Sequence, residues 1–257
     1  MQLVLLCKQT DFELFGHEKV FRPLVRDLKK LENGLAGPEI LRGSVYAIIG
    51  DNLGRHCIGG FIENFSSSHY HCRYCFIHKN NMFADNMFYT IQEIRTKDKH
   101  TEILEFIDQN ELEDFKGVKF NSIFNEMQYY NVCQPGLPPC IGHDLFEGIV
   151  AYDLQLFTIR FAQETSLTLN EINNKMSKFS FGIAENKNKP AAVSIKHKKL
   201  GGHAIQNWNY LRFFPVVFFD YMSPETTCKK LIVLLHKIVE LICAPKINVN
   251  QVHYMQD

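Results

Sequence analysis

The order of apolar and amphipathic segments in the first third of the chain most constrains its fold. A short apolar run at residues 3–7 precedes an amphipathic stretch over about 15–31, and a run rich in valine, tyrosine and isoleucine follows at 44–50. Short apolar runs with β-branched residues are typical of buried strands, and apolar residues at three- and four-residue spacing are typical of helices. The pattern predicts strand, helix, strand, and therefore an α/β unit.

The remainder of the chain is predicted to be mainly helical. Amphipathic patterns indicate helices over about 102–114, 143–163 and 226–244, the last stopped by Pro245. The acidic residues of the first of these are interpreted as a solvated helix face. With 257 residues, of which 46% are hydrophobic, the chain can bury a sizeable core. We expect the fold class α/β plus α.

Global charge favours no class of partner, because 28 basic side chains balance 28 acidic ones. No stretch has the uninterrupted apolar length that a membrane span requires, so no membrane partner is expected. Eight cysteines without a secretory signal are interpreted as reduced thiols, which indicates a nuclear or cytosolic protein. No pattern points to a small-molecule substrate, and self-association or a partner chain is an open expectation.

The segment HYHCRYCFIH contains the strongest local signal for a metal. Its Cys72 and Cys75 have the Cys-x-x-Cys spacing that places two thiolates on one turn, and tetrahedral zinc needs two more ligands. Cys140 and His143, spaced Cys-x-x-His, are candidates, and His203 competes for the fourth position. A redox dithiol and ordinary core cysteines are the alternatives for the pair, and helix capping is the alternative for His143.

Two further features have both a functional and a structural interpretation. Asp51 follows the second predicted strand and has the chemistry of a divalent-metal ligand, although Asp-Asn-x-Gly is also common turn punctuation. A lysine cluster lies in a segment low in large apolar residues and could contact DNA phosphates or form a plain solvated loop. Its members are Lys187, Lys189, Lys196, Lys198 and Lys199.

Four segments in order carry a resemblance to a known class: GDNLGRHCIGGFIENFSSSHYHCRYC, CQPGLPPCIGHDLFEGIVAYDL, LGGHAIQNW and ELICAPKI. Together they resemble transposase-like proteins distantly related to the CACTA (EnSpm) class of DDE transposases. The resemblance implies a ribonuclease-H-like sheet over residues 1–92 with a Cys-x-x-Cys zinc loop, followed by a mainly helical insertion over 93–257. It also implies two divalent ions, magnesium or manganese, held by three acids in an intact relative.

Carried onto this chain, the resemblance matches Asp51 to the second of those acids, and Cys72 and Cys75 to the zinc loop that follows it. The first and third acids have no match, so the chain is expected to be a catalytically incomplete fragment or remnant with structural zinc. The alternative is a retained, zinc-supported module that binds DNA or protein. A third hypothesis is an unrelated metal-dependent hydrolase that uses Asp51, His56, His143 and Glu147.

Overall fold

A computed structural model describes residues 3–37, 39–82, 93–223 and 226–256 of the chain. Within these ranges it contains eight α-helices: α1 (Gln9–Asn33), α2 (Asn52–Gly59), α3 (Lys97–Asn110), α4 (Val150–Thr165), α5 (Leu169–Lys178), α6 (Ala204–Val217), α7 (Thr227–Cys243) and α8 (Val249–Gln256). Short 3-10 turns occur at Lys79–Asn81, Ile123–Glu126, Asn186–Asn188 and Phe219–Tyr221, and π-helical segments at Val132–Gly136 and Ile141–Ile149.

The predicted sheet does not form, and the partial ribonuclease-H-like sheet of the α/β prediction is wrong. The structure is 57% helical and 3% strand, without a sheet among the described residues. The strand content consists of isolated pairings: Leu35 with Leu41, Phe61 with Val118, Cys75 with Ile94 and Phe115 with Val118. Residues 3–7 and 44–50 have strand-like composition, but no described segment pairs with them as a strand, and Leu3 and Leu6 are exposed. Composition favours a strand only where pairing is available.

The helical predictions were more accurate. Helix α7 lies where periodicity placed it, and α1 and α3 overlap their predicted ranges but begin six and five residues earlier. The acidic positions Glu102, Glu105 and Asp108 of α3 are exposed, as a solvated face should be. Helix α1 bends at Gly16, whose φ of 77° is outside the helical region. The predicted helix over 143–163 is divided, with Ile141–Ile149 wound as a π-helix before α4 begins.

The chain divides into two compact units, Met1–Pro139 and Cys140–Asp257. The core of the first unit gathers side chains from α1, α3 and the turns around residues 123–137, among them Val25 and Leu137, together with Phe61 and Val118 from segments outside the helices. Long stretches of the described part of this unit have no regular structure. The predicted boundary at residue 92 followed the resemblance and stays a prediction.

The second unit is a helical assembly with an aromatic centre. Phe214 of α6 is fully buried and contacts Phe157 and Phe161 of α4 with ring-centroid distances of 4.9 and 5.0 Å. Helix α5 begins with a capping box, in which Thr168 and Glu171 satisfy each other's backbone N–H groups. None of the described helices has the length and apolar character needed to cross a membrane.

Candidate nucleic-acid interface and zinc loop

The lysine-rich segment, residues 186–202, is anchored to the second unit at several points of its backbone. Asn173 of α5 donates its amide to the Val193 carbonyl and accepts from the Val193 N–H, both at 2.9 Å. Gln155 donates to the Ser194 carbonyl at 2.8 Å, and the Leu200 N–H donates to the Ala151 carbonyl at 2.9 Å. This segment, called the basic loop below, is hydrogen-bonded to helices α4 and α5 by two side-chain amides and one backbone N–H, without a strand ladder among the described residues.

Further amide contacts hold the start of the basic loop. Gln206 and Asn209 of α6 donate to the carbonyls of Lys189 and Asn188, at 2.8 and 3.0 Å. Val193 and Leu200 bury their side chains in the core of the unit. Buried apolar side chains therefore anchor the loop at two of its positions.

All five predicted lysines of the basic loop are exposed, and the loop contains no acidic residue: Lys187, Lys189, Lys196, Lys198 and Lys199. Lys189 and Lys199 donate to the backbone carbonyls of Ser177 and Glu147. No ion pair joins any of the five to a carboxylate among the described residues. A concentrated, unneutralised and fixed positive surface is what a phosphate backbone attracts.

The structure brings Cys72 and Cys75 together in the first unit. Their sulfur atoms are 3.4 Å apart, and the Tyr74 N–H points at the Cys72 sulfur at 3.4 Å. Two thiolates on tetrahedral zinc lie about 3.7 Å apart, given a zinc–sulfur distance near 2.3 Å. The pair thus matches half of a zinc site. Burial raises the pKa of the Cys75 thiol, and a metal would have to overcome that cost.

A buried cation lies beside the cysteine pair. Arg95 is 1% exposed; its Nε donates to the Cys72 carbonyl at 2.9 Å, and a terminal nitrogen donates to the Lys116 carbonyl at 2.6 Å. Its guanidinium lies over the Phe76 ring, and its Nη1 has no hydrogen-bond partner. Arg95 forms no ion pair with a described carboxylate, so thiolate charge on the neighbouring cysteines would stabilise it.

The other predicted zinc ligands belong to the second unit. Cys140 caps the π-helical segment, and its sulfur accepts from the His143 N–H at 3.5 Å. The His143 Nδ1 lies 2.8 Å from Glu147, whose second oxygen accepts from the Ala204 N–H at 2.9 Å. His203 caps α6 immediately before Ala204.

These contacts act on the ionisation of Glu147. Burial alone would raise the pKa of Glu147, but the Ala204 N–H and His143 hold it below its usual value. Among the described residues, no group of three or more His, Cys, Asp or Glu side chains is arranged to hold a metal ion. The complete zinc set therefore stays a prediction.

Asp51 has a structural role in this fold. Its carboxylate accepts from the Gly54 N–H at 2.7 Å and so caps α2. The strand expected to end at Asp51 is absent, and no second acid is brought to it within a metal-binding group of the described residues. The assignment of Asp51 as a catalytic acid remains a prediction from the resemblance.

Sequence reasoning missed the residues that hold these features in place. Asn173 and Gln155 lie in helices with no unusual local pattern, and Gln206 lies in LGGHAIQNW, where only His203 was a candidate. Their backbone partners are 17 to 39 residues away. Arg95 lies between segments that sequence reasoning left without a site. Their roles follow only from tertiary packing. No protein-family model, curated protein or solved structure matches the chain at a significant level.

Proposed function

We propose that this chain is a DNA-binding module derived from a DDE-type transposase, without catalytic activity of its own. The observation that carries the proposal is the basic loop, which presents five exposed lysines on a backbone fixed by the amides of Asn173, Gln155, Gln206 and Asn209. Fixing the loop before binding lowers the entropic cost of ordering it on DNA. A nuclear location follows from the same proposal.

The proposed contact is with phosphates and is independent of base sequence. Lysine is a flexible point charge and suits phosphate oxygens, whereas bidentate base recognition favours arginine, asparagine and glutamine. The basic loop contains no arginine. Binding should therefore be strongly salt-dependent and similar across DNA sequences.

Zinc is proposed as a structural component of the first unit, held in part by Cys72 and Cys75. The 3.4 Å sulfur separation and the neighbouring charge of Arg95 support this proposal. The zinc would fix the turn that contains the pair, and it would supply no chemistry to a substrate. Magnesium or manganese belongs to an intact relative, because one matched acid cannot hold two such ions.

The test of DNA binding compares two charge-matched variants. The first variant combines Lys187→Gln, Lys196→Gln and Lys198→Gln. It removes three exposed charges of the basic loop and keeps the two lysines that donate to backbone carbonyls. The second, Lys230→Gln, Lys237→Gln and Lys246→Gln, removes three exposed charges from α7 and the segment after it. Affinity for a 20-base-pair duplex is measured by fluorescence anisotropy between about 50 and 200 mM salt.

We expect the loop variant to lower the slope of log K against log salt by about 2 to 3, and the α7 variant to leave it nearly unchanged. Equal losses in both variants would indicate diffuse charge attraction and would overturn the basic loop as the interface. Absence of salt-dependent binding by the unmodified chain would overturn the DNA-binding proposal itself.

Metal content tests the zinc proposal separately. The unmodified chain should bind about one zinc, the pair of substitutions Cys72→Ser and Cys75→Ser should abolish it, and Cys243→Ser at an exposed position of α7 should not. Zinc retained in the double variant would remove Cys72 and Cys75 from the site. Addition of magnesium should produce no DNA nicking, and nicking that depends on Asp51 would contradict the absence of catalysis.

A further inference from the structure

A groove of about 340 Å³ runs along one face of α3 in the first unit. Its wall includes Lys97, His100, Glu105 and Asp108, which recur at the spacing of one helix face. From the first to the last of these, α3 rises about 16 Å at 1.5 Å per residue. Asn121 and Asn131 contribute to the opposite wall. A volume of this order is that of a small-molecule pocket.

One side chain of this groove has unmet hydrogen-bonding capacity. His100 is 2% exposed, and neither of its ring nitrogens has a hydrogen-bond partner. Burial, and then the nearby charge of Arg95, lower the pKa of His100 to about 4, so the ring is neutral at pH 7 and offers one donor and one acceptor. Buried polar groups are normally paired, and an unpaired one costs free energy.

The charges of the groove are divided between its two ends. Lys97 lies in the first turn of α3, where the helix macrodipole is positive. Lys119 lines the groove from the opposing segment, but its ammonium pairs with Glu63 at 3.3 Å. Glu105 and Asp108 lie two and three turns further along. A ligand that satisfies both ends has an anionic group at one end and hydrogen-bond donors at the other.

Amide donors of the opposite wall remain available between the two ends. The Asn131 oxygen accepts from the Cys133 N–H, and the Asn121 oxygen accepts from Asn125. Each of these two asparagines therefore has its amide nitrogen left to donate. Amide side chains are among those that recognise the edge of a planar, nitrogen-containing base, and a neutral imidazole offers the same combination of one donor and one acceptor.

We propose that the α3 groove binds a mononucleotide, with its phosphate at Lys97, its ring near His100 and the asparagine amides, and its donor groups toward Glu105 and Asp108. The site is non-covalent and distinct from the basic loop, and it requires neither zinc nor DNA binding. Sequence reasoning expected no small-molecule substrate, and the proposal concerns a bound ligand, not a reaction.

The same chemistry could come from a free mononucleotide or from one unit of a single strand. The acids of α3 favour the free form, because Glu105 and Asp108 in the groove and Glu102 beside it are exposed carboxylates that repel a polyanion. A continuous strand would have to pass these carboxylates, whereas a mononucleotide brings one phosphate to the lysine end alone.

Isothermal titration calorimetry on the full chain tests the proposal. The ligands are adenosine monophosphate and thymidine monophosphate, and adenosine and inorganic phosphate are titrated separately as fragments. We expect at least one mononucleotide to bind with a Kd below about 1 mM, and each fragment to bind at least about tenfold more weakly. The proposal would be overturned if neither mononucleotide bound at ligand concentrations up to about 10 mM, tenfold above the expected limit of Kd.

Three variants locate the site. His100→Leu keeps an apolar side chain of similar volume in the core and removes both ring nitrogens, and it should weaken binding about tenfold or more. Lys97→Gln, at an exposed position, should weaken binding several-fold. It keeps the proposal testable even where His100→Leu folds poorly. Lys99→Gln is the matched control, because Lys99 lies on the same helix, pairs with Glu93 at 2.6 Å and does not line the groove.

Unchanged affinity in both His100→Leu and Lys97→Gln would show that the nucleotide binds elsewhere and would overturn the proposal. A ten-nucleotide single strand is measured on the loop variant Lys187→Gln, Lys196→Gln and Lys198→Gln, so that the basic loop does not contribute. Binding of the strand no tighter than that of the mononucleotide supports the free ligand. If the strand bound much more tightly than the mononucleotide and His100→Leu abolished that binding, the groove would be a single-strand site and the free-ligand proposal would be overturned.

Discussion

The two units of this chain leave different kinds of polar atom unpaired in their interiors. In the second unit the unpaired atoms are the side-chain oxygens of Gln155, Asn207 and Asn209, and each of these residues already donates its amide nitrogen to a backbone carbonyl. In the first unit they include both ring nitrogens of His100 and a guanidinium nitrogen of Arg95.

The difference separates structural polar groups from candidate binding groups. Each amide of the second unit fixes a loop or helix start, so its burial is explained by the fold. His100 makes no such bond and donates to nothing, so the fold alone does not explain its burial. Among the described residues of the second unit, the buried side-chain atoms without a partner are these three amide oxygens, whereas the first unit has unpaired ring and guanidinium nitrogens that a ligand could use.

The largest expected effect comes from the aromatic centre of the second unit. Phe214→Ala should lower the free energy of unfolding by about 3 to 5 kcal/mol, because the fully buried ring contacts four others, on Phe157, Phe161, Phe218 and Tyr210. Urea denaturation followed by circular dichroism measures the change. Phe219→Ala, at a 75% exposed ring, should cost less than about 0.5 kcal/mol, and an equal cost would contradict the assigned core.

Acid should act mainly on the first unit. Burial lowers the pKa of both His56 and His100 to about 4, so the unfolded chain takes up protons below pH 6.5 that the folded chain refuses. The contribution of these two histidines to the free energy of unfolding is fully present above pH 6.5 and is lost as the pH falls toward 4. The loss between pH 7 and 5 is about 1 to 2 kcal/mol for each histidine.

His100→Leu should remove roughly half of this acid sensitivity, whereas His197→Asn, at an exposed position of the basic loop, should leave it unchanged. Urea denaturation at pH 7 and pH 5 provides the comparison. The same slope in His100→Leu as in the unmodified chain would show that His100 is not buried as a neutral base.

A smaller effect is expected from the anchoring of the basic loop. Asn173→Ala removes both amide bonds to Val193 and should cost about 1 to 3 kcal/mol, and it should also lower DNA affinity without changing any charge. Asn174→Ala, at the exposed neighbouring position, is the control. Thermal unfolding and anisotropy give the two measurements, and unchanged DNA affinity in Asn173→Ala would mean that loop order does not contribute to binding.

The smallest expected effect is that of replacing His100 at pH 7, and it tests the difference between the polar groups of the two units most directly. At pH 7 His100→Leu should change the free energy of unfolding by less than about 1 kcal/mol or raise it, because it removes two unpaired nitrogens and keeps apolar volume. Gln155→Leu should instead be destabilising, because it frees the Ser194 carbonyl that Gln155 holds. A large loss in His100→Leu alone would mean that the ring has a structural partner.

Sequence periodicity predicted helices α1, α3 and α7, because their apolar faces are recorded in local spacing. It failed at residues 3–7 and 44–50, where apolar composition is compatible with a strand but only a neighbouring strand can complete one. The π-helical winding of Ile141–Ile149 also has no simple local signature, since the same face pattern fits an α-helix.

The candidate sites also differ in how far the sequence predicted them, depending on whether their features are local. The lysines of the basic loop and the spacing of Cys72 and Cys75 were visible in the sequence, because those features are local. The anchoring amides and His100 were not visible. His100 occupies an ordinary position in an acidic amphipathic helix, and its isolation depends on Phe61 and Arg95, which come from other segments.

The unpaired nitrogens of His100 also determine how a ligand could be found without knowing its identity. A molecule that binds the folded chain and not the unfolded one adds RT ln(1 + [L]/Kd) to the free energy of unfolding, about 2.7 kcal/mol at one hundred times Kd. Melting temperature then reports occupancy directly. A thermal-shift screen of compound libraries on the unmodified chain, repeated on His100→Leu, would separate ligands of the α3 groove from all others by the upward shifts that disappear.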